Sequence, residues 1–152
     1  MSDSKRQQII TALDTRLKTI LTTGGYNTNA GEHVDPWLPE ISEIADGIAL
    51  VYRDPDENNS AATEGSIGYH RHQLNIEIEI RVASGSVTVE TARKVLADIE
   101  TAIGTDPKWS ALAIGTYPGS NKIETAQNSN IVSRATMNFA IIYQTKAWNP
   151  YV

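Results

Sequence analysis

Apolar residues in the first segment, SKRQQIITALDTRLKTILTTGG, fall at Ile9, Ile10, Leu13, Leu17, Ile20 and Leu21. Spacings of three, four and seven make one stripe on an amphipathic helix. Ser4 followed three residues on by Gln7 has the form of a capping box, and Gly24-Gly25 supplies the left-handed conformation that closes a helix. Further along, HRHQLNIEIEIRVASG changes to a period of two. Leu74, Ile76, Ile78, Ile80 and Val82 share one face of a strand, and Asn75, Glu77, Glu79 and Arg81 share the other. A second helical stripe follows at Ala92, Val95, Leu96, Ile99 and Ile103, with Thr88 placed to cap it and Gly104 to end it. Residues 131–145 alternate again: Ala135, Met137, Phe139, Ile141 and Tyr143 oppose Arg134, Thr136, Asn138 and Gln144.

Between these elements the pattern is weaker. Residues 26–46 hold Asn, Gly, Asp and two prolines around Trp37 and read as a connection with one short strand. Residues 48–53 are a compact β-rich run, ended by Asp54-Pro55. The following stretch, DPDENNSAATEGSIGY, lacks large aliphatic residues and predicts a long mobile loop over about 54–69, an interaction candidate because loops of that length are commonly functional. Two short β-like runs, 113–117 and 122–126, flank a turn at Pro118-Gly119-Ser120-Asn121. Strands joined by short turns, with two single-faced helices to cover their apolar side, predict an α+β fold: a mainly antiparallel sheet with both helices on one face.

Length and composition narrow the classes. A chain of 152 residues suits a single domain, 1–152, and no internal repeat is visible. The absence of cysteine removes disulfides, thiolate metal sites and cysteine nucleophiles. A net charge of -5 argues against a general nucleic-acid binder, which needs basic surface to displace counterions. No apolar run reaches the roughly 20 residues of a membrane-spanning helix, and MSDSKRQQII lacks the apolar segment of a signal peptide. The expectation is a soluble protein made in a cytoplasm.

Candidate chemistry is sparse. His70 and His72 would lie on one strand face and could grip one metal, but zinc sites take three or four protein ligands. The remaining histidine, His33, has no spacing that places it nearby, so HRH reads more simply as a strand entrance. Glu77 and Glu79 could form a carboxylate pair for acid–base work, yet their spacing of two marks the solvent side of a strand. DPDENN has oxygens for calcium without the EF-hand spacing. Neither TTGG nor YPGSN is followed by the Lys and hydroxyl of a phosphate-binding loop, and no GxSxG or HExxH motif is present. No catalytic, metal or cofactor site is assigned. The interface candidates are Glu77, Glu79 and Arg81 on one strand, Arg134 and Asn138 on another, Asp54, Asp56, Glu57 and Glu64 in the loop, and Trp148 and Tyr151 in AWNPYV.

The opening helix ending in GGYNTNAG, the strand HRHQLNIEIEI, the helix with ARKVLADIETAIGTDPKW and the closing ATMNFAIIYQTKAWNPY resemble the tail terminator family of long-tailed bacteriophages and prophages, over nearly the whole chain. The resemblance implies a non-enzymatic α/β subunit that forms a six-fold ring on the upper end of the tail tube, stops tube polymerisation and presents the surface that joins the head or neck connector. It implies as partners further copies of itself, the tail tube protein and the neck protein. DNA would pass through a lumen that is acidic or neutral and does not bind it specifically. It implies no membrane partner and no catalytic residues, and a location at the head-tail junction of the virion after synthesis in the bacterial host cytoplasm. Two alternatives stay open: another head-tail connector or neck protein, and a metal-dependent enzyme using His70, His72 and a carboxylate.

Overall fold

In the computed structural model, residues 2–37, 47–61, 68–83, 88–127 and 131–152 are described. The elements are α1 (Lys5–Lys18), β1 (Val34–Pro36), β2 (Gly47–Ala61), β3 (Tyr69–Ala83), α2 (Thr88–Gly104), β4 (Gly115–Gln127) and β5 (Ile131–Lys146). They form one sheet of order β1-β2-β3-β5-β4, antiparallel except for the parallel β1–β2 edge pair. The result is the expected α+β fold, with both helices on the face that carries the apolar alternation.

Sequence and structure agree at the start of α1 and in the strand faces. Ser4 accepts a hydrogen bond from the Gln7 backbone N–H at 3.2 Å, which satisfies one of the donors left over at the start of α1. Ile9, Leu13 and Leu17 of α1 and Ala92, Val95 and Ile99 of α2 are buried against Leu50, Tyr52, the even positions 74–82 of β3 and the odd positions 135–143 of β5. The first helix stops at Lys18, before the glycines; Gly25, at φ +90°, closes a separate 3-10 turn, Thr22–Gly24. Thr88 opens α2, and its hydroxyl accepts from Ser133 on β5 at 2.6 Å. Gly31 is required by close approach. A Cβ there would stand 2.7 Å from the Lys18 carbonyl oxygen, while its own N–H donates to Ile20.

One buried group of α2 is charged. Asp98 is 2% exposed and accepts four hydrogen bonds: from the Asn27 N–H and side-chain amide, and from the Thr28 N–H and hydroxyl, at 2.7–3.1 Å. A carboxylate on the apolar stripe thus holds the segment that follows α1 onto α2.

Two expectations are corrected. The stretch 54–69 is not a loop over its first half: β2 continues to Ala61 and pairs Asp56 to Ala61 with Asn75 to His70. Glu64 and the rest of 62–67 lie outside the described residues. The strand survives Asp54-Pro55 because these residues form a bulge, two residues opposite one on the neighbouring strand. Its polar side chains are no obstacle, since backbone pairing along a strand does not require apolar side chains on both faces. Likewise the two runs around Pro118 are one strand, β4, with a bulge between Pro118 and Asn121 rather than a turn. Gly119 permits it, because a Cβ at that position would collide with the Asn138 carbonyl. Ser84-Gly85-Ser86, residue types that break a strand, lie outside the described residues.

The connection from α2 to β4 is left-handed. Trp109, Ser110 and Ala111 have φ values of 54°, 56° and 65°, a conformation that costs a non-glycine residue roughly 1–2 kcal/mol. Asp106 holds the turn, accepting from the Lys108 and Ser110 N–H groups at 3.1 and 2.6 Å. Ala111 is exposed, so Ala111→Gly should relieve strain without opening a cavity and, after glycine's own entropy cost, stabilise by about 1 kcal/mol. A thermal melt should move up by about 2–4 °C for a chain of this size. A lower melting temperature would show that the turn is not strained.

Candidate interaction surface

The register of the central pair gives the sheet two chemically distinct faces. Opposite the helices, β3 contributes Asn75, Glu77, Glu79 and Arg81, and β5 contributes Arg134, Thr136 and Asn138. The structure therefore brings five expected interface residues, Glu77, Glu79, Arg81, Arg134 and Asn138, onto one surface. Pairing of Arg53 with Glu77 adds a member that sequence reading left inside a core strand.

Glu79 is the hub. Its carboxylate receives Arg53 at 3.0 Å, Arg81 at 3.2 Å and Arg134 at 3.1 Å, and Arg53 also lies 3.6 Å from Glu77. Burial alone would raise its pKa, but the hydrogen bond from Arg53, the charge of Arg134 and the contact with Arg81 together hold it below the ordinary carboxylate value. Val51, which pairs with Glu79 across the β2–β3 ladder, is itself buried on this face.

Beside the hub the outer face sinks into a hollow of about 530 Å³, lined by Pro55, Asp56, Gln73, Asn75, Tyr117, Pro118, Asn138 and Ile142 among others. The two bulges flank it: Arg53/Asp56 on the β2 side and Pro118/Asn121 on the β4 side. Asp56, an expected interface residue, stands at its edge and accepts from the Asn75 amide at 2.7 Å.

Asp54 and Glu57 lie on the helix side, Glu57 because the β2 bulge shifts the alternation by one. Asp54 receives Arg6 at 2.9 Å and the Trp37 indole N–H at 2.8 Å. Glu57 accepts from the Tyr143 hydroxyl at 2.6 Å and lies 3.4 Å from His72. Burial, reinforced by the hydrogen bond to Glu57, raises the Tyr143 pKa.

This arrangement bears on HRH. His72 Nδ1 lies 2.6 Å from Asn59 Oδ1, Nε2 lies 2.8 Å from Thr145 Oγ1, and the ring stacks on Tyr143. His70 packs edge-on against Trp148 at 4.8 Å. Both nitrogens of His72 are engaged, and among the described residues no group of three or more His, Asp or Glu is arranged to hold a metal ion. Burial pushes the His72 imidazole below its ordinary value, against the raising effect of Glu57.

A pH prediction follows from these two groups. For His72 the unfolded chain binds a proton more readily, so stability falls as the pH drops below about 6.5. For Glu79 the contribution is present above about pH 4.3 and is lost as the pH falls through its lower folded value. Both act in the same direction. Urea midpoints measured between pH 8 and pH 3 should fall in two stages, with Glu79→Gln shrinking the lower one, to which Asp106 also contributes; an unchanged acid limb in that variant would show that Glu79 is not the hub.

The C-terminal segment folds back on its own chain: the Lys5 N–H donates to Pro150 O, Ala147 to Gly68 O and Lys146 to Val152 O. Trp148 nevertheless stays 81% exposed and Tyr151 45%.

Fold and surface together define an α+β protein with one helix-covered sheet face and one open, charge-networked face. The fold is similar to that of a chain in the virion of the native gene transfer agent (GTA) particle, with a TM-score of 0.53 at 14% identity over 89% of this chain and 93% of that one. No family model matches the sequence, and no curated protein matches it.

Proposed function

We propose that this protein is a structural component of a phage-like virion: a tail terminator that sits as a six-fold ring on the head-proximal end of the tail tube, stops tube growth and offers the docking surface for the head or neck connector. The observation that carries this reading is the similarity of fold to a GTA virion chain, which extends over nearly the full length of both chains. The open outer face supports it, since a ring of identical subunits needs two unlike side surfaces on each copy. In this reading the protein is not an enzyme; its partners are itself, the tube protein and the neck protein, and DNA passes its lumen without specific binding. The same fold similarity is compatible with another head-tail connector, so the test must separate the two. Short self-assembled tail tubes from the same particle, mixed with the purified protein and imaged by electron microscopy, should show added density at one end and arrested growth. Tubes that elongate with bare ends would reject the terminator role, and binding to the portal-side protein instead would favour the neck role.

A further inference from the structure

Charge is divided unevenly between the two sides of the sheet. By the strand register the outer face holds six of the chain's 13 Lys and Arg residues, Arg53, Arg71, Arg81, Lys122, Arg134 and Lys146, against four acids. The remaining described residues hold seven basic residues and ten acids. A chain of net charge -5 thus presents one net-positive sheet face. Near the hub the charges are matched: Glu77, Glu79 and Glu124 meet Arg53, Arg81, Arg134 and Lys122 at 2.5–3.6 Å. At the other end, Arg71 and Lys146 are exposed and have no acidic partner among the described residues. Asp56, the fourth acid of the face, accepts from the Asn75 amide instead.

These two cations continue the line of the hollow. Pro55, Tyr117, Pro118 and Ile142 give the hollow apolar walls, and Gln73 and Ile142, which line it, pair with each other across β3 and β5. Arg71 follows two positions from Gln73, and Lys146 four positions from Ile142, on the same face. At roughly 3.3 Å per residue they stand about 7 and 13 Å beyond the hollow. An extended segment laid along the strands repeats its own side chains at the same interval, so an apolar side chain in the hollow is followed at its second and fourth neighbours by groups over Arg71 and Lys146.

We propose that this half of the outer face binds an extended acidic segment of a partner protein, with one apolar side chain filling the hollow and carboxylates two and four positions away meeting Arg71 and Lys146. The unmatched positive charge selects an acidic partner, and the apolar wall beside it selects a protein segment. Nucleic acid fits the face poorly, since two unpaired cations on an acidic chain fall short of the roughly six to ten phosphate contacts of a DNA-binding surface. The contact goes beyond the terminator reading and does not rest on it, because it needs neither a ring nor a tube.

A library of short random peptides displayed on yeast and sorted on the purified protein supplies the probe. Enriched sequences should carry an apolar residue with Asp or Glu two and four positions away. A synthetic peptide of the consensus should move the amide resonances of Arg71, Gln73, Ile142 and Gln144, and Arg71→Glu with Lys146→Glu should weaken its binding about tenfold or more. Arg93→Glu with Lys94→Glu, the same charge change at exposed positions of α2, should leave the affinity within about twofold. No enrichment, enrichment without acids, or equal loss in both variants overturns the proposal, as does a single-stranded oligonucleotide that moves these amides when no acidic peptide does. Peptide binding without capping of tubes would remove the terminator role alone; capping without peptide binding would remove only this surface.

Discussion

Trp109→Ala should unfold at a urea midpoint about 2 M lower than the parent, a loss of about 4 kcal/mol at a slope of about 2 kcal/mol/M. The indole is fully buried. Arg16 of α1 lies over its ring at 3.9 Å, and its N–H donates to Thr116, whose hydroxyl in turn donates to Pro107. Truncation therefore opens a cavity, frees the Arg16 guanidinium from its aromatic contact and removes the anchor of a left-handed turn. Trp109→Phe keeps most of the volume and should lose about 2 kcal/mol. A loss below about 1 kcal/mol in the alanine variant would mean that the site collapses around the gap and that the turn is held by Asp106 alone.

Asp98→Ala should cost about 3 kcal/mol, because it leaves the Thr28 N–H and hydroxyl buried without an acceptor, at roughly 1–3 kcal/mol each. Asp98→Asn retains one acceptor oxygen and should lose less. The check is specific: amide hydrogen exchange at Asn27 and Thr28 should accelerate in the alanine variant by far more than exchange in β3 or β5. Uniform acceleration across the chain would show that Asp98 contributes only to global stability, without a separate hold on that segment.

These two residues show where sequence reading is blind. The helical stripes and the strand faces of β3 and β5 were legible because burial imposes periods of 3.6 and 2 on the apolar residues. Asp98 was not, since a carboxylate on an apolar stripe breaks the pattern, and its four donors come from a loop about 70 positions earlier in the chain. The two bulges were missed for a related reason. Asp54-Pro55 and Pro118-Gly119 carry the residue types of turns, and only pairing with a neighbour distinguishes a turn from a strand that takes in an extra residue and continues. That error propagated to the candidate surface: Glu57 was grouped with Asp56 as a loop residue, but as neighbours on a strand the two face opposite sides of the sheet. Arg53 was overlooked because it closes an apolar run, although it meets Glu77 and Glu79 across the strand pair.

The paired bulges also have a mechanical meaning. They face each other across β3 and β5 at nearly one level, near Ile76 and Asn138. Beyond this line the sheet is met by the first turn of α1, through Arg6 to Glu57 and Lys5 to the Gln144 carbonyl, and by the C-terminal segment. Along it, β2 and β4 are interrupted, and only the β3–β5 ladder crosses in unbroken register. A load perpendicular to the sheet would bend the subunit along this crease, with two strands resisting. A load parallel to the strands would instead shear the continuous β3–β5 row of hydrogen bonds, so the chain should resist it more than a load that bends it along the crease.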